Sequence, residues 1–79
     1  SDTEEEVMEN EELSLLKKSI LSLPEEERFL ITRAYGLFGN EVLSSRELAR
    51  KLNISEKTIN YRKKVIQNKL RSLMAVWAS

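Results

Sequence analysis

The chain has 79 residues, enough for one small domain with a modest core. It holds no cysteine and no histidine, which excludes disulfide staples and the usual zinc clusters, and no cofactor is expected. The formal charge is zero, yet residues 1–45 carry eleven acids and four bases while residues 46–79 carry nine bases and two acids, Glu47 and Glu56. An acidic half joined to a basic half is a footprint of polyanion binding by one end. The competing reading is a helical protein whose charges pair internally.

No apolar run approaches the roughly 20 residues needed to span a bilayer, so no membrane partner is expected. The acidic opening is unlike a signal peptide. The absence of cysteine fits a reducing cytosol, and a cytoplasmic location is expected. Two glycines, one proline and abundant helix formers predict an all-α chain, a small four-helix domain.

Residues 1–12 read as an acidic N-terminal tail, frayed or starting a short helix, ahead of a domain over 13–79. Leu13, Leu16, Ile20 and Leu23 recur at helical spacing and form the apolar stripe of a first helix. Pro24 suits the first turn of a second helix, and Glu25, Glu26 and Glu27 complement its dipole. That helix ends at Gly36. Its apolar face uses Phe29, Leu30, Ala34 and Leu37, with Ile31 nearby and Tyr35 assigned to the core. Gly39-Asn40 marks a turn within the loop 37–43.

Ser44 and Glu47 form a capping box for a third helix of about eight residues, with Leu48, Ala49 and Leu52 facing inward. Asn53-Ile54 breaks the pattern, and Ser55 caps a long fourth helix, Glu56 to Val76. Ile59, Ile66, Leu70, Leu73 and Trp77 form its apolar stripe, with Trp77 at the core or its edge.

The segment over about 44–71 has the grammar of a helix-turn-helix with a long recognition helix. Ala49, Ile54 and Ile59 put small or aliphatic side chains where the two helices cross. At about 100° per residue, Lys57, Tyr61, Lys64 and Asn68 fall opposite the apolar stripe. This is the face a major groove would meet. Early positions of such a helix reach base edges and later ones meet backbone. Glu56, Lys57, Asn60, Tyr61 and Lys64 are therefore assigned to base edges, and Arg62, Lys63 and Asn68 to the DNA backbone. Arg46, Arg50, Lys51, Lys69 and Arg71 complete a basic set whose phosphate contacts imply strong salt dependence. No catalytic constellation is visible in the sequence, and no enzymatic activity is expected.

These residues resemble region 4, the C-terminal domain of bacterial sigma factors. The resemblance is carried by Leu23-Pro24, Tyr35-Gly36-Leu37, Ser44 to Ala49, Ile54 to Ile59 and Lys69-Leu70-Arg71, and it spans about 50 residues. It implies promoter DNA and the RNA polymerase core as partners. The second helix of the motif would enter the major groove at the minus-35 element. The preceding helices would form an apolar cleft for the flap tip of the polymerase β subunit, and an anti-sigma factor is a further implied partner. The family's base-reading positions fall on Glu56, Lys57 and Tyr61, and its backbone contacts on Ser44 and Arg46. The chain departs from common sigma factors at those reading positions, where arginine, glutamate and glutamine are usual. Ala34 stands where many members have arginine, and the acidic opening has no counterpart. The domain that melts the minus-10 element is absent, so the chain reads as an excised domain or a stand-alone relative.

Two alternatives compete. The segment 54–70 also fits a LuxR-type regulator domain, although the longer link 37–43 favours sigma region 4. A helix-turn-helix used only for protein interaction is the other. The charge split further suggests that residues 1–12 mask the basic helix within the same molecule.

Overall fold

The computed structural model describes the backbone of residues 2–78 and the side chains of residues 11–78. Among these residues there are four α-helices and no strand: α1 (Asp2–Leu21), α2 (Glu25–Tyr35), α3 (Ser45–Leu52) and α4 (Glu56–Ala78), with a 3₁₀ turn over Leu37–Gly39. No helix is long and apolar enough to cross a membrane, among the described residues.

α1 is continuous from Asp2, with no break between the acidic opening and the apolar stripe. Of the two expectations for residues 1–12, a frayed tail or a helix start, the backbone from Asp2 follows the second; Ser1 and the side chains of residues 1–10 lie outside the described residues. Ile20 and Leu23 are buried and Leu16 packs at the core's edge, but Leu13 is exposed. The reason is the reach of α4. Lys18 sits 4.1 Å above the Trp77 ring, near the end of α4. Leu13 is more than a turn beyond that point and has no helix to pack against. The unforeseen core member is Ser19, fully buried with its hydroxyl donating to the Leu15 carbonyl at 2.8 Å. Its intrahelical bond removes the cost of burying a hydroxyl, and its small size admits a close neighbour.

Pro24 is the N-cap of α2, one position before the first turn, and its carbonyl accepts from Arg28 N–H at 2.9 Å. Leu30, Ile31 and Thr32 are buried, with Phe29, Ala34 and Leu37 packed at the edge. Tyr35 is 45% exposed, correcting its assignment to the core. Its hydroxyl instead accepts from Gln67 of α4. Gly36 ends α2 in the left-handed conformation, φ 62°. A Cβ there would lie 2.7 Å from Val42 Cγ2. Phe38 also takes a positive φ, 56°, and Leu43 N–H donates to Arg33 carbonyl at 2.9 Å, which ties the loop back to α2.

α3 opens with the capping box: Glu47 N–H donates to Ser44 Oγ, and Ser44 N–H donates to Glu47 Oε1, each at 3.1 Å. Asn53 ends it with φ 57°, and Ile54 N–H returns to the Ala49 carbonyl. Thr58 N–H then donates to Ser55 Oγ at 3.1 Å, capping α4. α4 touches each of the other three helices, and its buried Ile59, Ile66 and Leu70 form the spine of the core. Leu48 and Ala49 are buried where α3 meets α4, whereas Trp77 is 41% exposed beneath the Lys18 ammonium, correcting its place at the core or its edge, because the last turns of α4 run beyond the packed core.

Candidate nucleic-acid interface

The turn Asn53–Ser55 sets α3 and α4 against each other through Leu48, Ala49, Ile54 and Ile59. Burying Ile59, Ile66 and Leu70 turns the opposite side of α4 outward. Lys57, Tyr61, Lys64 and Asn68 are all exposed and follow one another at helical spacing. Tyr61 is 68% exposed. Arg71 continues this face, and Arg46, Arg50 and Lys51 lie exposed on α3. Glu56 is exposed in the first turn of α4.

Four of the expected contacts have other engagements. Asn60 is exposed, but its Oδ1 accepts a hydrogen bond from Ser45 Oγ at 2.8 Å. Arg62 Nη1 lies 2.5 Å from Glu26 Oε1. Lys63 Nζ sits 5.7 Å above the Tyr35 ring. Ser44 is held in the capping box, so a phosphate there would compete with α3's own cap. Outside the assigned contacts, Lys69 Nζ pairs with Glu27 at 2.8 and 3.0 Å.

The engagements of Arg62, Lys63 and Lys69 have one geometric origin. α2 crosses the core face of α4, with Glu26 and Glu27 at one flank and Tyr35 at the other. The cations nearest the core are therefore drawn to α2, and those farthest from it stay outward. Ser45, Glu26 and Glu27 were missed in the sequence. Ser45 had a signal, because with Leu48, Ala49 and Leu52 it completes the inner face of α3. The two glutamates had none beyond their place in a first turn, since a crossing angle is not a local property.

Glu47 is held in its charged form by the cap. The Ser44 N–H holds its pKa below the ordinary 4.5, assisted by the Ser44 hydroxyl, and Arg50 and Lys51 act in the same direction. It stays charged as part of the cap.

Two depressions adjoin α2, the second with a mixed polar and apolar lining. One lies between α2 and α4, lined by Pro24, Leu30, Leu52, Tyr61 and Val65. The other lies on the outer side of α2, lined by Leu21, Phe29 and Phe38 with Arg28 and Arg33 beside them. Phe38 is 53% exposed there despite its positive φ.

Compared with known proteins, the chain matches no family model, no curated protein and no solved structure.

Proposed function

We propose that this chain binds duplex DNA sequence-specifically, as a sigma region 4-like domain in transcription initiation. In this reading α3, the turn and α4 act as a helix-turn-helix, and α4 enters the major groove. The carrying observation is the outward face of α4, Lys57, Tyr61, Lys64 and Asn68, backed by a buried spine and flanked by Arg46, Arg50, Lys51 and Arg71. Lysine donates to guanine acceptors or phosphates, and tyrosine donates, accepts or touches a thymine methyl. Arg62 and Lys63 are then reserve cations, reaching phosphate only by leaving Glu26 and Tyr35.

The RNA polymerase core is the second proposed partner. The depression at Leu21, Phe29 and Phe38 lies on α1, α2 and the 3₁₀ turn, the elements that precede the motif, and it suits a protein contact. A left-handed phenylalanine costs about 1–2 kcal/mol, and such strain concentrates at contact sites. The link between α2 and α3 runs from Gly36 to Ser44 and includes the 3₁₀ turn, which favours this reading over a LuxR-type domain.

Selection of bound duplexes from a random pool, followed by a shift assay, tests the proposal. Lys57→Glu with Lys64→Glu is expected to abolish binding at moderate salt. For the wild type, log affinity is expected to fall linearly with log salt, at about 0.9 per phosphate neutralised. Absence of binding even at low salt overturns the reading and leaves protein interaction as the function.

A further inference from the structure

The outward face of α4 has two flanks, and they differ in charge. At about 100° per residue from Ile59, the midline of the face lies near Asn68, at about 180°. Lys64 and Arg71 fall on one side of it, at about 140° and 120°, and Val65, Lys69 and Arg62 on the other, at about 240°, 280° and 300°. Lys64 and Arg71 are exposed, and neither is within salt-bridge reach of an acid among the described residues. Asn60 belongs to the same flank and is 2.8 Å from Ser45, so the N-terminal end of α3, with Arg46 exposed, lies along it.

The Val65 flank is neutral. Each of its two cations is matched by an acid of α2, Arg62 by Glu26 at 2.5 Å and Lys69 by Glu27 at 2.8 Å. Between these pairs lies the apolar lining of Val65, Leu30 and Leu52. A phosphate that drew Arg62 away would meet the carboxylate of Glu26 left behind, so the flank offers no net positive charge whichever way the arginine points. The major groove of B-DNA is about 12 Å wide, and a helix with its side chains is about 10–12 Å across. A helix lying in the groove therefore turns one flank to each phosphate wall, and the two walls belong to different strands.

We propose that α4 grips the phosphates of one strand only, the strand facing Lys64 and Arg71, and that Glu26 and Glu27 keep the facing strand's backbone from being held. The inference rests on the DNA-binding reading and deepens it. Lys57 and Tyr61, near the midline, keep their places at base edges. The polarity of the grip is set by α2, an element outside the helix-turn-helix.

The test is phosphate ethylation interference with the whole chain on a duplex selected by it, each strand end-labelled in turn. For the wild type, interfering phosphates are expected on one wall of the groove that α4 enters and none on the other. Lys64→Ala with Arg71→Ala should remove interference from that wall and lower the salt slope by about 2. Glu26→Gln with Glu27→Gln should keep it and add interfering phosphates on the opposite wall. None of the four positions is buried, and circular dichroism checks that both variants fold. Equal interference on the two walls, a pattern unmoved by Lys64→Ala with Arg71→Ala, or no gain on the opposite wall in Glu26→Gln with Glu27→Gln overturns this proposal alone. A wild type that binds no duplex even at low salt overturns the DNA reading and this proposal with it.

Discussion

At the scale of the residue, the loop that follows α2 is the most demanding stretch. Gly36 and Phe38 both take positive φ within three positions. Gly36→Ala brings a Cβ within 2.7 Å of Val42 Cγ2 and within 3.1 Å of the Asn40 carbonyl oxygen, in a conformation that already disfavours alanine. We expect a loss of about 1–3 kcal/mol, read as a lowered Tm. Glu47 makes the stability depend on acid. Its pKa is lowered in the folded chain, so its contribution is complete above the ordinary value of 4.5 and fades as pH falls through the folded value. The Tm difference between wild type and Glu47→Gln should therefore shrink as pH drops below about 4.5. A thermal-melt series from pH 7 to pH 3 checks it. Gly36, Ser44 and Glu47 were legible in the sequence because helix ends are written in local chemistry. Tyr35 was not, because its environment is made by Gln67, which is remote in sequence and close only after folding.

At the scale of the element, α4 carries both the core spine and the proposed reading face. Its crossing with α3 depends on Leu48 and Ile59, both fully buried. Leu48→Ala should cost about 2–5 kcal/mol. Stability of a small domain is of order 5–15 kcal/mol, so this change would leave a substantial unfolded fraction on denaturant titration. The pairs Glu26–Arg62 and Glu27–Lys69 predict the opposite balance of effects. Surface pairs contribute about 0–1 kcal/mol each, so Glu26→Gln with Glu27→Gln should barely change the fold. It should raise DNA affinity at low salt and steepen the salt slope by about 1–2, by releasing two cations for phosphate. An unchanged slope would show that Arg62 and Lys69 never reach DNA. The apolar periods of α3 and α4 predicted both helices and their buried faces, including Ile59, Ile66 and Leu70. The same periodicity failed at Leu13 of α1 and at Trp77 of α4, since a stripe marks a face that can be covered and not how far the covering helix extends.

At the scale of the whole molecule, α1 and α4 run in opposite directions. Lys18 meets Trp77, while Glu26, a turn into α2, meets Arg62, far back along α4. The opening turns of α1 therefore extend past the end of α4 remote from Lys57, and the chain measures 44 Å in its longest direction. Lys57 and Trp77 are themselves about 30 Å apart along the helix. The described backbone of α1 leads away from Lys57, which argues against masking of the basic face by residues 1–12, although the side chains of residues 1–10 lie outside the described residues. Deleting residues 1–12 should leave DNA affinity unchanged at about 0.15 M salt, where charges are screened beyond about 8 Å. A shift assay reads the outcome, and tighter binding at that salt would restore the masking idea. The charge split was visible in the sequence. That α1 carries seven of the eleven acids away from Lys57, while Glu26 and Glu27 pair with α4, was not, because it follows from how α1 and α2 pack on α4.

That placing has a consequence for the approach to a partner. A body with no net charge feels little pull from a distant polyanion, but one with acid at one end and base at the other feels a torque. Under the proposed DNA binding, the α1 overhang would act as a weather vane: the field of a phosphate backbone would swing the more acidic end away and turn the Lys57 end forward before contact. The lever arm of that rotation is the helix that touches nothing on the basic face.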